Sequence, residues 1–137
     1  MPGEPLSRPL IEIAHDLREK RVSARELIEA AIARHEPFGE RLHAYSHWAP
    51  EQARTVAAAA DAAFSAGVIV GPLQGLPVSI KDLFAAAASP GRAAGCRLTP
   101  GSGTGPLVAT LRRQVGVIAG KTHMVEFAFG GTGHNSH

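Results

Sequence analysis

Gly71-Pro72-Leu73-Gln74-Gly75-Leu76-Pro77-Val78-Ser79-Ile80-Lys81-Asp82-Leu83-Phe84 is the stretch on which the fold turns. Its first five residues are turn chemistry, with Pro fixing φ and Gly admitting conformations other residues avoid. From Leu76 to Leu83 the pattern changes to a period of two. Val78 and Ile80 fall on one face, Ser79 and Lys81 on the other, which predicts a half-buried strand. Lys81 is the residue with chemistry. Desolvation on such a strand favours the neutral amine, the form that accepts a proton. The competing reading is an edge-strand Lys that reaches solvent. Asp82 points to the opposite face of a regular strand, so it is not the automatic ion-pair partner of Lys81.

Towards the N-terminus the texture is helical. Leu10, Ile13, Ala14 and Leu17 recur at helical spacing among Glu12, Asp16, Arg18 and Glu19, which predicts an amphipathic helix. Ser23-Ala24-Arg25-Glu26 has the spacing of a capping box, in which hydroxyl and carboxylate satisfy each other's backbone donors. Leu27, Ile28, Ala31 and Ile32 continue that helix, which should stop before Pro37. Residues 37–47 read as loop or short extended structure. A third helix fits Pro50 to Ala66, with Pro suited to the first turn and Gly67 to the C-terminal cap.

Towards the C-terminus lie most of the 15 glycines. Residues 85–106 read as a long loop of the kind that often carries function. A helix is expected from Pro106 to Gln114. A short buried strand follows from Val115 to Ala119, bounded by Gly120. The order of helix, strand, loop, helix and strand predicts an α/β layered fold.

The composition narrows the function. At 137 residues the chain has the size of one domain, and 45% apolar residues allow a packed core. Aromatics are only 5%, and Ala fills the gap. No apolar run approaches the ~18–20 residues of a membrane span. The opening MPGEPLSRPL has no apolar run, which predicts no secretory signal. The net charge is +2. The basic residues Arg18, Lys20, Arg21, Arg25, Arg34, Arg41 and Arg54 are scattered without interleaved aromatics, against a nucleic-acid surface. A single cysteine, Cys96, excludes an internal disulfide and a multi-Cys zinc site.

Several motifs fail on inspection. Gly116-Val117-Ile118-Ala119-Gly120-Lys121-Thr122 has three residues where a phosphate-binding loop needs four, and they are apolar. A strand ending in a Gly turn is expected instead. His43 and His47 stand four apart, but no Glu follows His43 and no third ligand is evident. His123, His134 and His137 are irregularly spaced, and no metal site is assigned. Cys96 has Arg92 and Arg97 nearby but no positioned base. Gly101-Ser102-Gly103 does not complete the nucleophile-elbow pattern.

Residues 71–84 strongly resemble the G-P-L-x-G-[IL]-P-x-x-[IV]-K-D segment of the amidase signature family. Gly116-Val117-Ile118-Ala119-Gly120-Lys121-Thr122-His123-Met124-Val125-Glu126-Phe127-Ala128 is similar to that family's G-A-x-x-x-G-K-T-N-x-x-E-F-A. The two blocks stand in the right order and at a fitting spacing. The helices before them, including Val22-Ser23-Ala24-Arg25-Glu26-Leu27, look like the family's N-terminal region. There are departures. His123 replaces a usual Asn, Ala85 a common Asp, and Arg92-Ala93-Ala94-Gly95-Cys96 loosens a Thr-Thr-x-Gly-Ser run. A frequent Asp before the 106–114 helix is Thr104 or a neighbouring Gly.

The resemblance implies an α/β fold with a mixed β-sheet flanked by helices. This chain would supply the N-terminal portion of a single amidase domain: a helical segment over 1–70, then the first strands and the active-site Lys region over 71–137. It implies an amide-bond hydrolase using a Ser–cis-Ser–Lys triad. Lys81 matches the Lys, which takes a proton through the cis-Ser hydroxyl so that the nucleophilic Ser can attack. Neither triad Ser has a match among Ser7, Ser23, Ser46, Ser65, Ser79, Ser89, Ser102 and Ser136. The chain is thus expected to be a fragment, inactive alone, with exposed strand edges that favour poor solubility or association. Phe129, Gly130, Gly131 and Thr132 resemble a loop beside the family's substrate pocket. The resemblance implies no cofactor, a small-molecule amide substrate, no nucleic acid bound directly, no membrane and a cytoplasmic location. A homodimer or amidotransferase partner subunits remain open. Two alternatives stand: the glutaminase (A) subunit of a tRNA-dependent amidotransferase, and a non-catalytic truncated product or binding module.

Overall fold

Ser23 and Glu26 form the capping box that their spacing predicts. Ser23 Oγ accepts from the Glu26 amide at 3.0 Å, and the Ser23 amide donates to Glu26 Oε2 at 2.8 Å. The computed structural model describes residues 4–84, 86, 103–125 and 128–131. The helix so capped is α2 (Ala24–His35), preceded by α1 (Leu10–Arg18) and a 3-10 turn at Pro5–Ser7. Then follow α3 (Gly39–Leu42), β1 (Tyr45–Trp48), α4 (Pro50–Ser65), β2 (Pro77–Lys81), α5 (Pro106–Arg113) and β3 (Val117–Thr122). β1 falls where loop or short extended structure is expected, and α3 is an addition to that reading.

A second anion completes the start of α2. Asp61 on α4 accepts from the amides of Ala24 at 2.7 Å and Arg25 at 3.1 Å. Its charge also suits the positive end of the helix dipole. With Ser23 serving the third amide, the free donors of the first turn are satisfied, and α4 is keyed to α2.

The three strands form a mixed sheet in the order β1-β3-β2, with β1 antiparallel and β2 parallel to β3. The parallel pair is linked through α5, as parallel pairing requires a crossover. One core joins helices and sheet. Leu17, Leu27, Ile28 and Ile32 meet Ala53, Ala57, Ala60 and Phe64 of α4, with Leu76, Val117 and Ala119 from the sheet side. Each fully buried Leu or Ile contributes roughly 1.5–3 kcal/mol. The Ala stripe of α4 leaves room for α2 on one side and β3 on the other.

Three helices end in the same way, with a left-handed residue whose amide and its successor's turn back onto the last carbonyls. After α1 this residue is Lys20 (φ 56), after α4 it is Gly67 (φ 74), and after α5 it is Val115 (φ 53). For α5, the Val115 amide bonds Arg112 O at 3.0 Å and the Gly116 amide bonds Leu111 O at 3.0 Å. Val115 therefore belongs to the helix cap and does not open the strand.

The far end of that strand also differs from expectation. Gly120 is inside β3, which runs on through Lys121 to Thr122. The glycine answers a cross-strand need. A Cβ on Gly120 would collide with the His47 carbonyl oxygen and lie 2.9 Å from the Tyr45 ring. Nothing about Gly120 makes a turn.

Candidate active site

β2 is an edge strand, and Lys81 is its last residue. Ile80 is buried while Ser79 and Lys81 are exposed, as the alternation predicts. Its neighbour across the pairing is Thr122. Among the described residues, the Lys81 ammonium makes no hydrogen bond or ion pair. The desolvated strand Lys is thus not what the described residues build. Its side chain reaches solvent because Ser79 and Lys81 lie on the exposed face of β2, which has no strand on its outer side among the described residues.

What the sequence pattern does not reveal lies one residue on. Asp82 is 2% exposed and Lys121 is 5% exposed. Lys121 Nζ stands 2.5 Å from Asp82 Oδ1 and donates to the Asp82 carbonyl oxygen at 3.2 Å. Beyond that ammonium, neither carboxylate oxygen has a hydrogen bond among the described residues. The Asp82 amide donates to Thr122 O at 3.2 Å, and the Phe84 amide to Lys81 O at 3.0 Å. A signal was present: Lys121 sits in a run otherwise made of Val, Ile, Ala and Gly.

Upstream of Lys81, the Tyr45 hydroxyl and Ser79 Oγ are 2.7 Å apart. Tyr45 is on β1 and Ser79 on β2, with β3 between them. The ring crosses at Gly120, where a side chain would block it. Tyr45 also packs against Trp48 (4.7 Å between ring centroids), and His35 stacks on Trp48 at 4.1 Å. Lys81 is therefore flanked by a tyrosine clamp two residues before it and an ion pair one residue after it.

A cleft of about 370 Å³ opens nearby, lined by Val56, Ala59, Ile80 and Ile118, with Gln52, Thr55, Arg112, His47 and Lys121 as its polar residues. Lys121 lines this cleft and Lys81 does not. Of the loop resembling a substrate-pocket loop, Phe129 is 92% exposed and Gly130 has φ 148. Gly131 is exposed too, and no hydrogen bond joins these residues to Lys81 among the described residues. Thr132 lies outside the described residues, as do Cys96, Arg92, Arg97, Ser102, His134, His137 and most of the 85–106 segment. His43 ends α3 and His47 sits on β1, so the two share no helix face. Among the described residues, no three His, Cys, Asp or Glu gather as for a metal, and no helix is long and apolar enough to cross a membrane.

Comparison with known proteins gives the same direction at every level. The family model Amidase matches residues 26–137. The 2-amino-5-chloromuconic acid deaminase of Comamonas testosteroni is 45% identical over 130 residues, covering 93% of this chain and 28% of the relative. The A subunit of the glutamyl-tRNA(Gln) amidotransferase of Geobacter sulfurreducens is 36% identical over 136 residues, covering 93% and 26%. A crystal structure of an amidase superposes with a TM-score of 0.83 at 34% identity, covering 94% of this chain and 30% of that one. The chain spans little more than a quarter of the length of these two curated relatives, 28% and 26%.

Proposed function

The chain belongs to the amidase signature family, a family of C–N hydrolases, and on that premise we propose that Lys81 is the proton-relay base of an amide-bond hydrolase. The reaction would use a Ser–cis-Ser–Lys triad, of which residues 1–137 match only the Lys. In that relay Lys81 Nζ accepts the proton of the bridging Ser hydroxyl. That hydroxyl takes the proton of the nucleophilic Ser as it attacks the carbonyl, and the proton returns to the departing nitrogen. Water then releases the acid by the same relay. This chemistry uses no metal or organic cofactor, and the residues here would not perform it alone.

The observation that carries the proposal is the difference between two lysines. Lys121 is committed to Asp82, whereas the Lys81 amine is uncommitted among the described residues, on a strand that Tyr45 clamps through Ser79 before it and Lys121 grips through Asp82 after it. Phe129, Gly130, Gly131 and Thr132 are proposed as part of the wall beside the substrate. A small-molecule amide is the favoured substrate class, in the cytoplasm. The higher identity to the chloromuconic acid deaminase (45%) than to the amidotransferase chain (36%) favours a small-molecule hydrolase. The second reading, the glutaminase component of an amidotransferase with partner subunits, rests on the latter similarity. Lys81→Ala in the complete protein tests the proposal, with ammonia release from acetamide, benzamide and glutamine as the readout. Turnover is expected to fall about 10²–10⁴-fold with the melting curve unchanged. Unaltered turnover would overturn it.

A further inference from the structure

We infer that Lys121 is a positioning residue for Lys81, acting through Asp82; the inference rests on the proposed role of Lys81. A buried ion pair is not the stable choice at such a place. Replacing one whole by apolar residues of similar volume is often neutral or stabilising. Here the pair is nearly inaccessible, at 2% and 5% exposure, and the carboxylate has no other hydrogen bond among the described residues. Stability therefore does not account for it. Geometry does. Lys121 Nζ holds two atoms of one residue, Asp82 Oδ1 at 2.5 Å and Asp82 O at 3.2 Å. Asp82 is the first residue beyond β2, where edge strands fray. The bond is made from a strand 39 residues away in sequence.

Strand pairing fixes Lys81 from its β3 side, and beyond it one backbone bond, the Asp82 amide on Thr122 O at 3.2 Å, continues that pairing. Its C-terminal side leads into a turn whose apolar residues Leu83 and Phe84 are 48% and 37% exposed and give little anchorage. The Lys121 clamp supplies that anchorage at the next residue. It holds the direction in which the Lys81 amine leaves the strand. A displacement of about 1 Å at a reacting group can cost on the order of 10²-fold in rate, so the clamp acts on kcat and not on substrate binding.

The test uses the complete protein. Lys121→Met alone strands a buried carboxylate and can simply unfold, so the deciding variant is Lys121→Met with Asp82→Leu. It is expected to melt as the wild type does. Its kcat on the best of the three amides should fall about 10–100-fold with KM within about two-fold. Amide exchange at residues 81–84 should quicken about tenfold, with the amides of Leu27 and Ile28 unaltered. Asp82→Asn keeps the carbonyl bond and an acceptor for Lys121; it should lower Tm, since the buried ammonium loses its counter-charge, yet retain most of kcat when assayed well below that Tm. Unchanged exchange at 81–84 overturns the inference, as does faster exchange with wild-type kcat. Should Lys81→Ala leave turnover intact, the catalytic reading fails by itself, and exchange alone decides whether Lys121 holds this backbone.

Discussion

The helix pair and the sheet are each tied by an ion pair, and the two pairs are built on opposite terms. Between α2 and α4, Glu29 receives Arg54 on both oxygens at 2.9 Å and Arg25 at 2.7 Å, in contact with water. Those hydrogen bonds, from Arg54 first and Arg25 next, hold the Glu29 carboxyl down to about 2. They supplement a packing that Leu27, Ile28, Ala53 and Ala57 already make. Between β2 and β3, Asp82 and Lys121 occupy space that apolar side chains could fill. The exposed pair adjusts a contact that exists without it. The buried pair determines where the backbone goes.

Breaking the buried pair on one side should have the largest effect. Lys121→Met is expected to cost about 3–5 kcal/mol of unfolding free energy, since it leaves Asp82 charged and alone. Denaturant titration reads this directly, and a wild-type midpoint would mean that water serves Asp82 instead. Gly120→Ala comes next. Its Cβ would collide with the His47 carbonyl oxygen, which is backbone and cannot rotate aside. A loss of about 1–3 kcal/mol is expected, and an unperturbed variant would show that β1 slides freely on β3.

Val115→Gly probes the same contrast at the helix ends and should work in the opposite direction. A β-branched residue at φ 53 is strained where Gly67 is not. The exchange should stabilise by about 0.5–1 kcal/mol after the entropy of Gly is subtracted, seen as a higher Tm. A lower Tm would show that the Val115 side chain, packed against the core, outweighs its backbone.

Arg54→Met is expected to do least near neutral pH. Its effect lies in acid. Glu29 has a depressed folded-state value, so its contribution is fully present above its ordinary 4.5 and is lost as pH falls towards about 2. The variant should flatten the stability profile across that window. A slope that persists would assign the Glu29 carboxyl to Arg25 alone.

Local chemistry explains what could be read in the sequence. Ser23 with Glu26, Pro50 at a helix start and Gly67 at a helix end each act within a few residues, and each appears where expected. The resemblance over 71–84 and 116–128 likewise led to the right family and a mixed sheet. The errors arise where the cause is remote in sequence. Gly120 looked like a boundary because the Tyr45 ring and the His47 carbonyl, more than seventy residues earlier, are what require it. Val115 looked like a strand residue because its propensity is a strand's, although the cap hydrogen bonds overrule it. Lys121 stands in a stretch that mimics a phosphate motif, while its partner lies in the other block. For the site, Lys81 is legible as a lysine on a strand, and its covered and solvent-reaching forms both stand open in the sequence, since alternation specifies a face and not what covers it.

The strand order β1-β3-β2 has a consequence for synthesis. The central strand is the last of the three to leave the ribosome. Once Ser65 has emerged, α2 and α4 have their caps and the apolar face they share, while Leu76, Val117 and Ala119 of the same core follow later. β1 and β2 have no partner in each other and wait as two unjoined ribbons until residues 117–122 arrive between them. The nascent chain therefore carries a paired helical layer and an unfinished sheet for more than fifty residues of translation. The Asp82 carboxylate waits in water for the 39 residues that separate it from Lys121, and is taken out only when that residue arrives.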